Sequence, residues 1–363
     1  MKFVGETGRG ARTTQFAGPF VERLSRPHIN LPQQFWGRWA SGASPEGAPA
    51  PRAEASVEDP HLGRGSLSAA GIELSVIIAT HDNLPVLRQA LDSWRRFAAD
   101  QPVELIVVED GCTDGTAEYL ADLTARGWDG PPLRAVHEDD AHELVCTNRG
   151  FREARGALVL SWHDDMFLRT RWFVPELLAT FRAYADIGLL SLSRGLYYHP
   201  VEDPVRTWED TVDWRRMEST VGPAPLNWVR LYEVDGVMRP WVVRRSCIDR
   251  VGPLDEAFRP TEWDESDLAY RIRRAGWKVA THGYERDGAY LHQLSTTYAR
   301  TPSARRMEIG LRNGGLFYQR WTDTIRAEDG RTRKSWLRKT SAAGWLAAAR
   351  QVARFAAGRR DGA

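Results

Sequence analysis

The sequence predicts an α/β fold in which a mostly parallel sheet is covered by helices on both faces. From about residue 72 onward, short apolar runs rich in β-branched residues alternate with longer segments whose apolar residues recur at helical spacing. The strand-length runs are apolar at consecutive rather than alternate positions, as expected for strands buried on both faces. Regular alternation of such strands with helices is typical of parallel sheets.

The predicted elements follow one another in a regular order. A strand at 74–79 and a helix at 84–98 open the series. Further strands lie at 103–108, 133–136, 157–162 and 187–192, with helices at 116–126 and 143–155 between them. After an aromatic-rich stretch of irregular periodicity, the pattern resumes with a strand at 242–243, a helix at 266–275 and a strand at 277–280.

The composition changes at both ends of this domain, which we place at 72–320. Residues 1–71 are rich in Gly, Pro and Ala, which predicts a flexible N-terminal extension and linker. Residues 321–363 predict a helical tail that mixes basic and apolar side chains. Such a tail can lie on an anionic membrane surface or pack its apolar stripe on the preceding domain, and the sequence leaves both alternatives open.

The overall composition excludes several classes of protein. The chain has 363 residues, and its 49 basic side chains nearly cancel 48 acidic ones, so no global field attracts nucleic acid. Three widely spaced cysteines argue against a disulfide framework and against a zinc knuckle. Because no long apolar run or secretory signal is found, we expect a cytoplasmic protein, peripheral to the inner face of a membrane if the tail binds lipid.

Polar clusters follow three of the predicted strands, where ligands of parallel sheets bind. They are Thr80-His81-Asp82-Asn83, Glu109-Asp110-Gly111 and His163-Asp164-Asp165. A fourth acidic cluster, Asp264-Glu265-Ser266-Asp267, opens a helix. Adjacent carboxylates can hold a cation or act as a base, but they can also cap helices or pair with arginines, and each cluster alone leaves these readings open.

The order and spacing of these segments resemble the family 2 glycosyltransferases, which share the Rossmann-like A-type glycosyltransferase fold and use nucleotide sugars. The resemblance covers about residues 72–320. It rests on the segments SVIIATHDN at 75–83, VVEDGCTDG at 107–115, NRG at 148–150, ARG at 154–156, HDD at 163–165, VGPLDEAF at 251–258 and WDESDL at 263–268, followed by His292 and the pair Arg312-Asn313.

The resemblance implies a role for each cluster, with 72–166 as the nucleotide-sugar half and 167–320 as the acceptor half. Glu265 would be the catalytic base, with Asp264 and Asp267 as alternatives, and Asp165 and His292 would bind the metal. The donor would contact Thr80, His81, Asp82, Asp110, Arg149 and Asp164, and the acceptor would contact Trp208, Trp228, Trp241 and Trp263. Four positions depart from the family pattern. His81 replaces an aromatic residue, Glu109 replaces an aspartate, His163 replaces an acid of the metal motif, and Glu265 replaces an aspartate.

The implied reaction is inverting transfer of a sugar from a UDP-, dTDP- or GDP-sugar to an acceptor hydroxyl, assisted by Mn²⁺ or Mg²⁺. The acceptor would be a glycan, a lipid-linked molecule or a small molecule in polysaccharide, glycolipid or glycoconjugate biosynthesis of the cell envelope. Two alternatives remain: a nucleotidyltransferase, although residues 80–84 lack the glycines of its phosphate loop, and a catalytically silent sugar-nucleotide-binding or scaffold protein.

Overall fold

An eight-stranded sheet forms the centre of the computed structural model, which describes residues 71–198, 209–212, 231–284, 288–293 and 303–328. The predicted N-terminal extension, most of the basic tail, Trp208 and Trp228 lie outside the described residues. The strands are β1 (Leu74–Thr80), β2 (Val103–Asp110), β3 (Leu133–Glu138), β4 (Leu158–His163), β5 (Met166–Leu168), β6 (Ile187–Ser191), β7 (Gly195–Tyr198), β8 (Glu209–Val212), β9 (Leu231–Glu233), β10 (Gly236–Val237), β11 (Trp241–Arg244), β12 (Lys278–His282) and β13 (Tyr290–His292). The helices are α1 (Leu84–Ala98), α2 (Thr116–Arg126), α3 (His142–Glu153), α4 (Phe173–Ala183), α5 (Arg245–Val251), α6 (Asp264–Arg274) and α7 (Ser303–Glu328).

The main sheet has the strand order β3-β2-β1-β4-β11-β6-β12-β9. The first four strands in this order run parallel to one another, and β12 runs parallel to β6. Strand β11 is antiparallel to both of its neighbours, and β9 is antiparallel to β12. The predicted α/β class with a mostly parallel sheet is therefore confirmed.

Burial of the central strands explains why they form. Every residue of β2 and β6 is buried, and so is all but one residue of β1, because both faces of the sheet are covered. Helix α1 begins and ends where its periodicity predicts, and it buries Leu87, Leu91 and Trp94 on one face. Pro85 in its first turn costs no hydrogen bond there.

A two-stranded sheet of β5 and β13 was not predicted, yet it positions functional residues. His292 pairs with Met166 across this sheet, and the amide N–H of Gln293 donates to the carbonyl of Asp165 at 2.9 Å. These strands have only three residues each, too few for periodicity to reveal. The sheet brings His292 beside Asp165 from a distant part of the chain.

Other differences concern the ends of elements. Strands β2 and β3 extend together to the pair Asp110 and Glu138, because ladder pairing continues past the apolar residues that signal a strand. Helix α6 begins at Asp264, two residues earlier than predicted. Helix α7 is continuous across the predicted domain end at residue 320. Among the described helices, none is both long enough and apolar enough to cross a membrane.

Candidate active site

The carboxyl ends of β1 and β4 meet because the two strands are parallel neighbours. The hydroxyl of Thr80, the last residue of β1, donates to Asp164 Oδ2 at 2.8 Å. Burial raises the pKa of the Asp164 carboxyl to about 6, and the nearby charge of Asp165 acts in the same direction. Two of the predicted donor-side residues are thus in contact.

Next to them, His163, Asp165 and His292 form the cluster best suited to hold a metal ion. One ligand atom from each residue lies within 4.8 Å of the others. Asp165 Oδ1 is 3.4 Å from His292 Nε2 and 3.9 Å from His163 Nδ1. Asp165 lies in the turn between β4 and β5 and is only 3% exposed.

The bonding of this cluster fits a divalent cation. Both carboxylate oxygens of Asp165 and the Nε2 atom of His292 are buried, and none of them makes a hydrogen bond of normal geometry with the described residues. Leaving buried polar atoms unsatisfied is costly, and a cation held between them would remove that cost. Carboxylate oxygen with imidazole nitrogen is a donor set that Mn²⁺ accepts.

A second acidic group lies at the start of α6, where Asp264 and Glu265 face a buried arginine. Arg239 Nη2 is 2.9 Å from Asp264 Oδ2, and its Nη1 is 3.9 Å from Glu265 Oε2. The side chain of Arg239 is 6% exposed and that of Asp264 is fully buried. The arginine compensates two adjacent carboxylates that would otherwise repel each other.

The pKa of Glu265 lies well above its ordinary value. Burial is the largest cause, and the neighbouring Asp264 adds to it, while Arg239 acts in the opposite direction. A carboxylate whose pKa is raised in this way is, once ionised, a stronger base than an exposed carboxylate. The side chain remains 17% exposed, so it is open to a substrate.

Arg239 and Glu143 were not predicted, yet they join the two acidic groups. Glu143 Oε1 is 3.2 Å from Arg239 Nη1 and 3.0 Å from His163 Nε2. Although burial opposes it, this carboxylate raises the pKa of His163. A chain of charged contacts therefore runs from Glu265 through Arg239, Glu143 and His163. No local sequence pattern predicts a role for Arg239, which lies in an irregular loop before β11. Glu143 is an acidic residue in the first turn of α3, a common position for such a residue, so no sequence signal marks it either.

The loops after β1 and β2 form the predicted donor side. His81 Nδ1 is 2.6 Å from the carbonyl oxygen of Asp110, and this contact raises the pKa of His81. Asp82 has a left-handed backbone, and its carboxylate accepts from the amide of Thr113 at 2.6 Å. The predicted residues His81, Asp82 and Asp110 are thus adjacent.

Asp110 is also the N-terminal cap of α3. Its two carboxylate oxygens accept from the backbone amides of Ala141 and His142 at 2.6 and 2.9 Å. Each oxygen retains a lone pair for a second donor. The resemblance predicted a contact with the base of the nucleotide, and that role stays a prediction beside the capping role.

Two further predicted residues make other contacts in this structure. Arg149, on α3, forms ion pairs with Glu138 at 3.4 Å and with Glu153 at 3.2 Å. Asp267 points toward α7, where it accepts from Trp321 Nε1 at 3.0 Å, and it also pairs with Arg271. Neither residue is brought to the contacts between Glu265 and Arg239.

The two described tryptophans of the predicted acceptor side differ in exposure. Trp241 has no exposed surface and stacks on Phe151 in the protein interior. Trp263 is partly exposed and packs against Tyr198, Phe317 and Tyr318. Of these two, Trp263 is the one that a ligand could reach without rearrangement.

Part of this chain is similar to a described family of proteins. Residues 75–211 match the model of "Glycosyl transferase family 2", a range that runs from the second residue of β1 to the third residue of β8 and contains both His163 and Asp165. Over 104 residues, 27% of this chain, the sequence is 29% identical to "Glycosyltransferase AglD" of Haloferax volcanii. That segment spans 16% of the length of that relative.

Several solved structures resemble this protein in fold at low sequence identity. TarS from S. aureus in complex with UDP-GlcNAc is 14% identical and has a TM-score of 0.47, with 71% of each chain covered. The mannosyltransferase PcManGT from Pyrobaculum calidifontis, in complex with GDP-Man and Mn²⁺, is 17% identical and has a TM-score of 0.41, with 79% of each chain covered.

Proposed function

Because residues 75–211 belong to glycosyl transferase family 2, we propose that the site described above transfers a sugar from a nucleotide diphosphate sugar to an acceptor hydroxyl with inversion at the anomeric carbon. One observation carries this proposal. Glu265, a carboxylate with a raised pKa, is linked through Arg239, Glu143 and His163 to the buried, unsatisfied carboxylate of Asp165. The proposed base and the proposed cation site thus belong to one continuous group of side chains.

Asp165 and His292 are the residues that would hold a divalent cation, Mn²⁺ or Mg²⁺. Such a cation supplies positive charge that stabilises the diphosphate of the leaving nucleotide. His163 lies on the same cluster and is paired with Glu143. We expect it to orient the cluster rather than to replace the missing acid of the family motif.

Glu265 would act on the acceptor. Its ionised carboxylate accepts the proton of the acceptor hydroxyl while that oxygen forms a bond to the anomeric carbon. The bond between the anomeric carbon and the donor phosphate oxygen breaks, and the electron pair leaves with the nucleoside diphosphate. Attack from the face opposite the leaving group gives inversion. Arg239 pairs with Asp264 beside Glu265, and so keeps the local charge balanced.

The remaining predicted residues divide between the two substrates. Thr80, His81, Asp82, Asp110 and Asp164 lie at the ends of β1, β2 and β4 and would contact the nucleotide. UDP-, dTDP- and GDP-sugars all remain candidate donors. Trp263 is our candidate for stacking on an acceptor sugar, because flat apolar rings pack well against sugar faces.

A donor panel tests the proposed function. The full chain is incubated with UDP-, dTDP- and GDP-sugars, with Mn²⁺, Mg²⁺ or EDTA, and the release of nucleoside diphosphate is measured. We expect release from one donor class, dependent on the metal and absent in Asp165→Asn. Once an acceptor is found, the anomeric configuration of the product is read by NMR. A retained configuration, or release that is unchanged in EDTA, would contradict the proposal.

A further inference from the structure

The backbone just before the proposed base has an unusual conformation. Glu262 and Trp263 have φ angles of +77° and +70°, and α6 with Asp264 and Glu265 follows directly. Residues with a Cβ atom rarely adopt this region, and two such residues in succession persist only where the surrounding structure holds them. The side chains that hold this turn therefore influence where Glu265 lies.

One buried amide of α7 holds the turn. Asn313 Nδ2 donates to the carbonyl oxygens of Phe258 and Thr261 at 2.7 Å each and lies 3.1 Å from the carbonyl oxygen of Glu262. The Asn313 side chain is fully buried. A single group thus connects three backbone carbonyls of residues 258–262.

The neighbouring Arg312 fixes the orientation of this amide. Arg312 Nε donates to Asn313 Oδ1 at 3.0 Å, and its guanidinium donates to the carbonyl oxygen of Arg259. With its oxygen engaged in this way, the amide presents its nitrogen to the three carbonyls. Arg312 itself is exposed, so it can be changed without opening the interior.

Other contacts place α7 firmly against α6. Trp321 Nε1 donates to Asp267 Oδ1 at 3.0 Å, and Arg273 pairs with Glu328 at 2.9 Å. The ring of Phe317 lies 5.2 Å from that of Trp263. Helix α7 is therefore a fixed support from which Asn313 can act.

We propose that Asn313 is a positioning residue for the transfer reaction, which holds the turn at 258–263 so that Glu265 meets the acceptor hydroxyl. This inference rests on the proposed function of Glu265. The sequence singled out Arg312-Asn313 only as a matching pair and assigned it no role. Asn313 touches no substrate in this account, and it acts through the backbone that precedes the base.

The test compares Asn313→Ala with Gln319→Ala, which removes an exposed amide from the same helix. Transfer kinetics and amide hydrogen exchange of residues 258–265 are measured on the full chain. For Asn313→Ala we expect kcat to fall at least tenfold, the donor KM to stay within twofold, and exchange to accelerate. Gln319→Ala should match the wild type in all three. Adding Glu262→Gly to Asn313→Ala places a glycine, which adopts a positive φ without strain, in the turn. The double variant should have a kcat at least threefold above that of Asn313→Ala.

A second variant, Arg312→Met, leaves Asn313 in place. It tests the proposal even if Asn313→Ala does not fold. It should lower kcat several-fold with the donor KM unchanged, and an unchanged kcat would overturn the proposal. The proposal also fails if folded Asn313→Ala keeps its kcat within twofold, or if kcat, KM and melting temperature all change together. If the wild type transfers nothing from any donor, the proposed function fails, and hydrogen exchange alone then decides whether Asn313 holds the turn.

Discussion

The metal side and the base side of the candidate site are built in different ways. On the metal side, Asp165 is buried with both oxygens lacking hydrogen bonds from the described residues, and His292 lies 3.4 Å away. On the base side, Asp264 and Glu265 already have a cation, because Arg239 lies between them. We expect the first arrangement to take up an added cation, whereas the second is balanced by the protein itself.

This difference separates two requirements of the proposed reaction. The leaving diphosphate needs positive charge that arrives with the donor, and a protein cation fixed beside Asp165 would compete for that place. The base needs a carboxylate that binds a proton more strongly than an exposed one, which a buried acid pair with a partial counter-charge provides. Removing a charge should therefore affect metal dependence on one side and proton transfer or stability on the other.

The largest effect is expected for Asp165→Asn. The substitution keeps the volume but removes a charged ligand, so transfer should fall below a tenth of the wild-type rate even at saturating Mn²⁺, and metal-dependent donor binding should be lost. Donor release assays and calorimetry with Mn²⁺ measure this. Asp139→Asn, at an exposed position, is the control, and it should behave as the wild type.

Glu265→Gln should lower transfer by ~10²–10⁴, because general-base catalysis typically contributes that factor. Donor affinity and metal dependence should remain near the wild-type values, in contrast to Asp165→Asn. Calorimetric donor binding together with product formation separates the two results. Loss of donor affinity with transfer largely retained would move the base to Asp264 or Asp267.

Arg239→Met should mainly reduce stability. It leaves Asp264 and Glu143 without their partner, and breaking a buried ion pair by removing one member typically costs ~3–5 kcal/mol. The free energy of unfolding from urea titration measures this. Arg95→Met removes an exposed arginine that pairs with Asp92 and should change stability by about 0–1 kcal/mol. Similar losses in both variants would show that Arg239 is not a buried counter-charge.

The smallest effect concerns the pH dependence of transfer. Because the pKa of Glu265 is raised, the carboxylate is protonated, and inactive as a base, up to a higher pH than an ordinary glutamate. As the pH falls through this pKa, kcat should decrease about tenfold per pH unit below it. The residual activity of Glu265→Gln should lack this acidic limb. An identical limb in both proteins would assign the titration to another group.

Local pattern determined the fold class and the positions of the strand-end acids. Consecutive apolar residues mark doubly buried strands, and helical spacing marks α1 and α2, whose bounds match the prediction. Motif order then predicted the resemblance to the family whose model matches residues 75–211. The predicted domain boundaries and the roles of the site residues stay predictions.

Only the tertiary structure decided which of these residues meet. It placed His292 beside Asp165 through two three-residue strands, and it set Arg239 between Asp264 and Glu265 from an irregular loop. It buried Trp241, turned Asp267 toward Trp321, and brought Asn313 under a turn some fifty residues earlier. Periodicity reports how one segment meets its surroundings, but ion pairs and buried amides depend on distances between segments far apart in the chain, which no local pattern encodes.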